Sequence, residues 1–340
     1  MPIDDRKRRI LMAVVSLYGE EGEPVGSSLL SRYFNMAVSS ATLRNEMAAL
    51  TRLGLLDQPH TSAGRIPTAK GYRYYVDNLL GVPDGPSEAD RNEIDEVFKD
   101  MDYDPEKLAQ QSAKTLGEHI NCAVVVTTPR SDDLRIAHFE VIQVGRYTAA
   151  ILAVTSAGGV STRVAKVDYE LSIEDVEQAA NVLNRSLRFV TAADVTPSLV
   201  MTLVDRFESM CRSCRPILSA ALKLLSEVGK PSTYIEGQQY FLRWPDLSGE
   251  LQNLMELFNS PDELQKVIQP QGFHTTVRFG EEMPIPIPEL CIISRKYMAG
   301  GGLTGILAVA GPARMNFRKI IPQIEYFGEK LGQSMSNLSA

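Results

Sequence analysis

The chain has 340 residues, of which 44% are hydrophobic and 23% charged, a composition typical of a soluble globular protein with two or three domains. Its net charge of −7 excludes a protein that coats nucleic acid by bulk positive charge. The charge is uneven: residues 1–80 carry ten Lys or Arg against eight Asp or Glu, and the remainder carries 25 against 34, which fits a DNA-binding part joined to a sensing or oligomerising body.

The N-terminal segment is basic at residues 6–9 and then apolar from Ile10 to Val15. A signal peptide has this order, but the apolar run is short, Glu20 and Glu21 follow, and no small-residue cleavage site appears. No stretch approaches the roughly 20 apolar residues that a membrane span needs. We therefore predict a cytoplasmic protein, with no membrane partner, whose residues 5–18 form a first helix and whose residues 27–34 form a second.

The stretch from Ser39 to Asp77 predicts a helix, a basic loop and another helix. Its first helix has Leu43, Met47 and Leu50 at helical spacing, which predicts one buried face. The opposite face carries small and polar residues, namely Ala41, Thr42, Arg44, Asn45, Ala48 and Arg52. Such a face suits close approach to base edges in a major groove, although an ordinary amphipathic helix has the same pattern.

A turn-rich segment follows at residues 59–65, and Thr68 can cap the next helix. A helix-turn-helix followed by a basic hairpin is the winged-helix arrangement, in which the hairpin reaches the backbone or minor groove. A generic basic loop is the alternative, but the order of the elements favours DNA binding.

These patterns give a set of predicted DNA contacts. The predicted base or near-base contacts are Thr42, Arg44 and Asn45. The predicted phosphate contacts are Ser39, Ser40, Arg52, Lys70, Tyr72 and Arg73. The predicted wing contacts are His60, Thr61, Ser62 and Arg65.

After a Gly- and Pro-rich linker at 81–86, the chain reads as two helical segments, a strand meander at 123–167, a helical block at 172–229 and a mixed region from 234 to 338. Strands and helices around one sheet predict an α+β body. The helical block has an apolar stripe that suits packing against a second copy or within one subunit: Leu183, Leu187, Leu203, Phe207, Leu218, Leu222 and Leu225.

Two segments of this sequence resemble the signature of the HrcA family, the bacterial heat-inducible transcription repressors. They are residues 39–47 (SSATLRNEM) and 57–77 (DQPHTSAGRIPTAKGYRYYVD), and similar segments occur in the body at 233–237, 277–282 and 311–315. The resemblance implies a winged helix at 1–78, connecting helices at 79–119, a GAF-like α+β domain at 120–171 and 230–340, and a dimerisation domain inserted at 172–229. It also implies a homodimer on the inverted-repeat operator of chaperone operons, inactivation by heat, and the GroE chaperonin as feedback partner.

The sequence offers little evidence for metal binding, cofactor binding or catalysis. Cys211 and Cys214 have C-x-x-C spacing, but no second pair or histidine pattern accompanies them, so we predict neither metal nor cofactor. Catalytic motifs are missing, and Glu281 and Glu282 are predicted to lie in a solvated turn. Two alternatives stay open: a regulator whose body binds a small molecule, and an enzyme with a DNA-binding head.

Overall fold

The computed structural model describes residues 3–81, 85–99, 104–129, 134–156, 159–191, 194–210, 215–228 and 230–337. The chain divides into two compact units, one formed by Met1–Pro129 with Ser232–Ala340 and the other by Arg130–Pro231. Each unit contains helices and a sheet, so the predicted multidomain α+β fold is confirmed. Among the described residues, no helix is long and apolar enough to cross a membrane.

Residues 3–78 form a winged helix. Its elements are α1 (Asp5–Glu21), α2 (Ser27–Tyr33), α3 (Ser40–Arg52), β1 (Leu56–Asp57), β2 (Ile66–Pro67) and α4 (Ala69–Asn78). At the starts of α1, α3 and α4, backbone N–H groups that the helix leaves free donate hydrogen bonds to side-chain oxygens of Asp4, Ser39 and Thr68. Between α2 and α3, Asn35 and Met36 have φ angles of 51° and 60°, which turn the chain sharply. β1 and β2 pair antiparallel and form the two strands of the wing.

Two connecting helices and one strand follow, namely α5 (Glu88–Lys99), α6 (Pro105–Ile120) and β3 (Ala123–Thr127). Asp104 caps α6 with its carboxylate, and Asn121 ends the helix in the left-handed conformation, with φ of 54°. The chain therefore passes from α6 into β3 without a long loop.

The unit Arg130–Pro231 is inserted after β3. Its elements are β4 (Ile136–Gly145), β5 (Thr148–Thr155), β6 (Val160–Lys166), α7 (Ile173–Leu187), α8 (Pro197–Met210) and α9 (Arg215–Glu227). The three strands form their own antiparallel sheet in the order β4-β5-β6, and one face of that sheet shares a core with the three helices. Ser172 and Asp175 form a capping box at the start of α7.

This arrangement corrects two sequence-based expectations. The meander was expected to share one sheet with the body and the insert to span 172–229, but β4 to β6 pair with one another and belong to the compact unit 130–231. The apolar stripe of the helical block, from Leu183 to Leu225, packs inside this unit, because its members line the core beneath the sheet. Cys211 and Cys214 lie outside the described residues.

The chain then returns to the first unit. Its remaining elements are β7 (Thr233–Glu236), α10 (Leu251–Phe258), α11 (Pro261–Ile268), β8 (Thr276–Phe279), β9 (Leu290–Met298), β10 (Thr304–Pro312) and α12 (Phe317–Asn337), with 3₁₀ helices at Gln238–Arg243, Pro245–Glu250, Gly280–Glu282 and Gly300–Gly302. The sheet is antiparallel, with strand order β7-β3-β10-β9-β8.

Both faces of this five-stranded sheet are buried, because successive side chains of a strand point to opposite sides. Ala123 and Val125 of β3 join a core with α10 and α11, whereas Val124 and Val126 join a core with α6 and α12. The second core continues without interruption into the winged helix, where it includes Leu11. The winged helix and the body therefore share one hydrophobic core.

Candidate nucleic-acid interface

Helix α3 presents a polar face to solvent. Leu43, Met47 and Leu50 are buried, which fixes the rotation of the helix about its axis. The side chains of the predicted reading face that are exposed are Ala41, Arg44, Asn45 and Arg52. Neither the Arg44 nor the Asn45 side chain has a hydrogen bond or ion pair to another described residue. The structure thus leaves the guanidinium of Arg44 and the amide of Asn45 free to contact DNA.

The hydroxyl groups at the start of α3 are used within the domain. Ser39 Oγ accepts the backbone N–H of Thr42 at 3.2 Å and lies 2.9 Å from the Thr42 hydroxyl. Ser40 Oγ lies 2.8 Å from Oγ of Ser27, at the start of α2. These contacts fix the angle between α2 and α3, and the Ser40 hydroxyl faces the neighbouring helix. The phosphate contact predicted for Ser40 therefore lacks support from its geometry.

The one acidic residue of α3 is neutralised by α1. Glu46 lies 3.2 Å from Lys7 Nζ and 3.8 Å from a guanidinium nitrogen of Arg6. Because Glu46 is paired, the charge that α3 offers to solvent comes from Arg44 and Arg52. A net positive charge on this face favours approach of the phosphate backbone.

The wing comprises β1, β2 and the residues between them, 56–67. His60, Thr61 and Ser62 are exposed at its tip, as expected for contacts with DNA. The Gln58 side-chain amide donates to the carbonyls of Thr61 and Ala63 at 2.9 and 3.1 Å, which orders the tip.

The base of the wing is attached to the segment between α1 and α2 and to the end of α3. Val25 and Arg65 exchange two backbone hydrogen bonds of 2.9 Å, and a Cβ atom at Gly64 would lie 2.4 Å from the Val25 carbonyl carbon. The close approach therefore requires glycine. Arg65 is half-buried and donates from Nε to Thr51 Oγ1 at 3.0 Å, so its side chain lies against the end of α3.

Lys70 on α4 is exposed, and its Nζ donates to the Leu53 carbonyl at 3.0 Å, at the end of α3. A cation at a helix C-terminus is favourable because the free carbonyls there carry partial negative charge. Gly71, the next residue, packs so tightly that a Cβ atom would lie 2.0 Å from the Leu55 carbonyl oxygen. Helix α4 is thus fixed against the wing.

Tyr72 does not contact phosphate, contrary to the prediction. It is 3% exposed, its ring stacks on Phe279 with 5.8 Å between centroids, and it contacts Phe317 edge-on at 6.2 Å. Burial raises the pKa of its phenol well above 10.0. Its hydroxyl is buried without a hydrogen-bond partner among the described residues. Tyr72 is therefore a core residue between α4 and the body.

Arg73 is also directed into the body. Its Nε donates to Glu282 Oε1 at 2.8 Å and a terminal nitrogen donates to the other Glu282 oxygen, so the pair is bidentate. The same guanidinium donates to the Val277 carbonyl at 2.6 Å and lies 5.0 Å from the centre of the Phe279 ring. These contacts exclude a phosphate contact for Arg73 in this structure. Glu282 is paired with Arg73 and also exposed to solvent, as predicted for this turn.

The first contact between the winged helix and the body is thus formed by Tyr72, Arg73, Phe279, Glu282 and Phe317. A second contact holds the end of α1 to the body. Arg314 Nε donates to Asp246 at 2.7 Å, and the Tyr18 hydroxyl lies 3.5 Å from the other oxygen of that carboxylate. Burial, together with the charge of Asp246, raises the pKa of Tyr18 to about 12. The orientation of α3 relative to the body is thus fixed at two points.

Sequence reasoning missed the partners of this docking, because Glu282 and Arg314 lie far from the winged helix in the chain. It also passed over Ser28 and Arg32, which are exposed on α2. The first helix of a helix-turn-helix crosses the DNA backbone, and this rule would have selected them. The exposed face of α3, the ordered wing and the docked α4 define a winged helix-turn-helix DNA-binding protein with an α+β body.

Comparison with known proteins gives the family. Residues 3–78 match the family model described as winged helix-turn-helix transcription repressor, HrcA DNA-binding, and residues 106–321 match the model described as HrcA protein C terminal domain. The chain belongs to the HrcA family.

Relatives support this over nearly the full length. The heat-inducible transcription repressor HrcA of Brevibacillus brevis is 30% identical over 338 residues, covering 98% of each chain. The protein of the same name from Thermoanaerobacter sp. strain X514 is 31% identical over 343 residues, covering 99% of this chain and 98% of its own. A crystal structure of a hypothetical protein, 29% identical, covers 99% of this chain and 100% of its own with a TM-score of 0.65.

Proposed function

We propose that the protein is a sequence-specific transcription repressor that reads double-stranded DNA with α3 and holds it with the wing. The observation that carries this proposal is the exposed face of α3, on which Arg44 and Asn45 have no partner among the described residues. Arg pairs bidentately with guanine and Asn with adenine in the major groove. Ser39, Thr42, Arg52 and Lys70 lie at the edges of this face and wing, where they suit near-base or phosphate contacts.

We further propose that the protein acts as a homodimer on an inverted repeat, since a two-fold symmetric protein matches a palindromic site. The unit Arg130–Pro231 supports this, because the solvent-facing side of its sheet exposes four apolar side chains, Ile142, Val144, Val160 and Val164. Exposed apolar patches of this kind mark protein–protein contacts. This unit is therefore our choice for the dimerisation domain.

The names of the relatives, heat-inducible transcription repressor, support heat as the inducing signal. We further propose control of chaperone operons and the GroE chaperonin as feedback partner, which the resemblance to the HrcA family implies. The physical route needs no dedicated ligand. A marginally stable repressor loses operator affinity when heat populates unfolded forms, and a chaperonin that restores the folded form restores repression. Because a repressor acts on the genome, we infer a cytoplasmic location and a non-enzymatic role.

The test is binding of the purified full-length chain to a labelled inverted repeat and to a scrambled duplex of equal length, across salt and temperature. We expect strong preference for the repeat, loss of binding on mild heating and recovery with chaperonin. Arg44→Ala should weaken the preference by about 1–3 kcal/mol, whereas Arg146→Ala, at an exposed arginine of the other unit, should keep it in full. Equal binding of both duplexes, or full binding far above the heat-shock temperature, would contradict the proposal.

A ligand-responsive regulator is the second candidate. It is favoured by an open cavity of about 760 Å³ between α8 and α9, lined by Val200, Met201, Val204, Leu218 and Leu222 among others. A metabolite that raises the unfolding temperature of the chain, and changes operator affinity, would support this candidate. A screen in which neither quantity changes would leave heat as the signal.

A further inference from the structure

Three side chains outside the DNA interface meet beside the connecting helices. Asp90 and Glu93 lie one turn apart on α5, and His119 lies in the last turn of α6. One potential ligand atom from each of the three lies within 4.8 Å of the others. Imidazole nitrogens and carboxylate oxygens are ligands that divalent transition ions take in proteins.

Gln323 of α12 brings an amide group to the same place. Its amide nitrogen lies 2.8 Å from Asp90 Oδ1 and 3.1 Å from His119 Nε2, and those two atoms are 3.6 Å apart. In a tetrahedral site with bonds of about 2.0–2.1 Å, neighbouring ligand atoms are about 3.3 Å apart. The three atoms are therefore spaced like one face of a metal site.

The two ionisable ligands are held in place by further contacts. Glu93 Oε1 lies 3.2 Å from His119 Nδ1, on the other side of the ring. A carboxylate that accepts the Nδ1–H fixes the tautomer and leaves Nε2 free to bind an ion. Ser87 Oγ donates to Asp90 Oδ2 at 2.5 Å.

Gln323 supplies an independent observation. It is 1% exposed, and its Oε1 has no hydrogen-bond partner among the described residues. Buried acceptors are nearly always paired, so this oxygen needs an explanation. Half a turn of the side-chain amide exchanges its oxygen and nitrogen, and the oxygen then faces Asp90 and His119. A cation bound there gives the amide oxygen a partner.

We propose that His119 Nε2, Asp90 Oδ1 and Gln323 Oε1 bind a divalent first-row transition ion, with Glu93 as a positioning carboxylate. Glu93 is 64% exposed, so the site opens to solvent on its side. The ion joins α5 and α6 to α12, and its binding stabilises this unit by an amount that grows with the logarithm of ion concentration above the dissociation constant. The unfolding temperature of the protein then depends on the supply of the ion, so both heat and metal availability decide whether the chain is folded.

The experiment measures Zn²⁺ uptake by calorimetry on the full-length chain after chelator treatment, with Mg²⁺ as the comparison ion. Cys211→Ser and Cys214→Ser are present throughout, so that thiolates do not bind Zn²⁺. We expect one equivalent of Zn²⁺, a clear preference over Mg²⁺, and loss of uptake in His119→Ala. Glu93→Gln, an exposed and structurally mild change, should weaken binding by about 10–100-fold.

His138→Ala is the matched control, because His138 also lies near a carboxylate, 3.1 Å from Glu140, but at an exposed position in the other unit. It should bind Zn²⁺ like the parent chain, and Zn²⁺ should raise the unfolding temperature of both. Uptake that persists unchanged in His119→Ala and Glu93→Gln, uptake that is lost equally in His138→Ala, or no uptake by the folded parent would each overturn the proposal. None of these readouts involves DNA, so the result is independent of operator binding.

Discussion

Helices α3 and α4 are similar in sequence character and opposite in environment. Both are short, capped by a hydroxyl residue and supplied with basic side chains, and both lie within residues 39–78. On α3 the arginines at 44 and 52 are exposed, whereas on α4 Arg73 is bound to Glu282 and Tyr72 is enclosed by aromatic rings. The comparison teaches that the basic character of a helix does not tell which of its side chains stay exposed, because the fold can pair one of them, here Arg73, with a distant acid.

The largest expected effect tests the buried side of this comparison. Tyr72→Ala should lower the free energy of unfolding by about 3–5 kcal/mol, because it leaves a cavity between α4 and the body. Tyr72→Phe should cost little, since the hydroxyl has no partner among the described residues. Urea unfolding measures both, with Tyr33→Ala, at a half-exposed tyrosine on α2, as the control. If Tyr72→Ala kept its stability but bound DNA more weakly, the phosphate contact predicted for Tyr72 from the sequence would be supported instead.

The exposed side is tested by Arg44→Ala and Asn45→Ala. Each should cost about 1–3 kcal/mol of operator binding and relax specificity at one base pair, with little change in unfolding. Competition between the operator and duplexes with single base substitutions gives both quantities. A variant that keeps full discrimination at every position would remove that residue from the reading face.

Arg73→Ala should show the reverse pattern. Loss of the bidentate pair with Glu282 should destabilise the protein by about 1.5 kcal/mol, since both side chains are partly exposed. The slope of operator affinity against salt should stay constant when binding is measured below the unfolding range. A slope that decreases by about one contact would mean that Arg73 holds a phosphate after all.

The pH dependence sharpens the same contrast. Burial acts to raise the pKa of Glu282, but the hydrogen bonds from Arg73 and the Phe279 N–H outweigh it, and the pKa falls below its ordinary value of 4.5. The stabilisation that the ionised Glu282 carboxylate gives the folded protein is therefore complete above pH 4.5, and it is lost as the pH falls through the lowered pKa. The difference in unfolding free energy between the parent chain and Glu282→Gln should shrink below pH 4.5. A difference that grows towards acid pH would contradict this assignment.

Lys70→Ala should give the smallest effect. Lys70 is exposed and, among the described residues, donates only to the Leu53 carbonyl at the end of α3, so its loss should weaken all duplexes alike and reduce the salt slope by about one contact. If Lys70→Ala bound DNA with unchanged affinity at every salt concentration, the role of Lys70 would be limited to its hydrogen bond at the end of α3.

Local signals in the sequence predicted local structure well. The cap at Thr68 and the stripe of Leu43, Met47 and Leu50 depend on neighbours within a few residues, and the structure confirms them. The environment of Arg73 depends on Glu282, 209 residues further along the chain, and no periodicity reports such a pairing. Strand pairing is equally non-local, which is why the meander of β4 to β6 was assigned to the wrong sheet. The DNA contacts themselves stay predictions.

The docking of α4 has a consequence for how the protein is made. The body groups that cover Arg73 begin with Val277, 204 residues later, so the ribosome completes the winged helix long before its covering exists. At about 5–20 residues per second, the interval is roughly 10–40 s. During that time Tyr72 and its neighbours form an uncovered apolar surface on a nascent chain. Every new copy therefore passes through a stage that favours capture by folding helpers before it has a complete body.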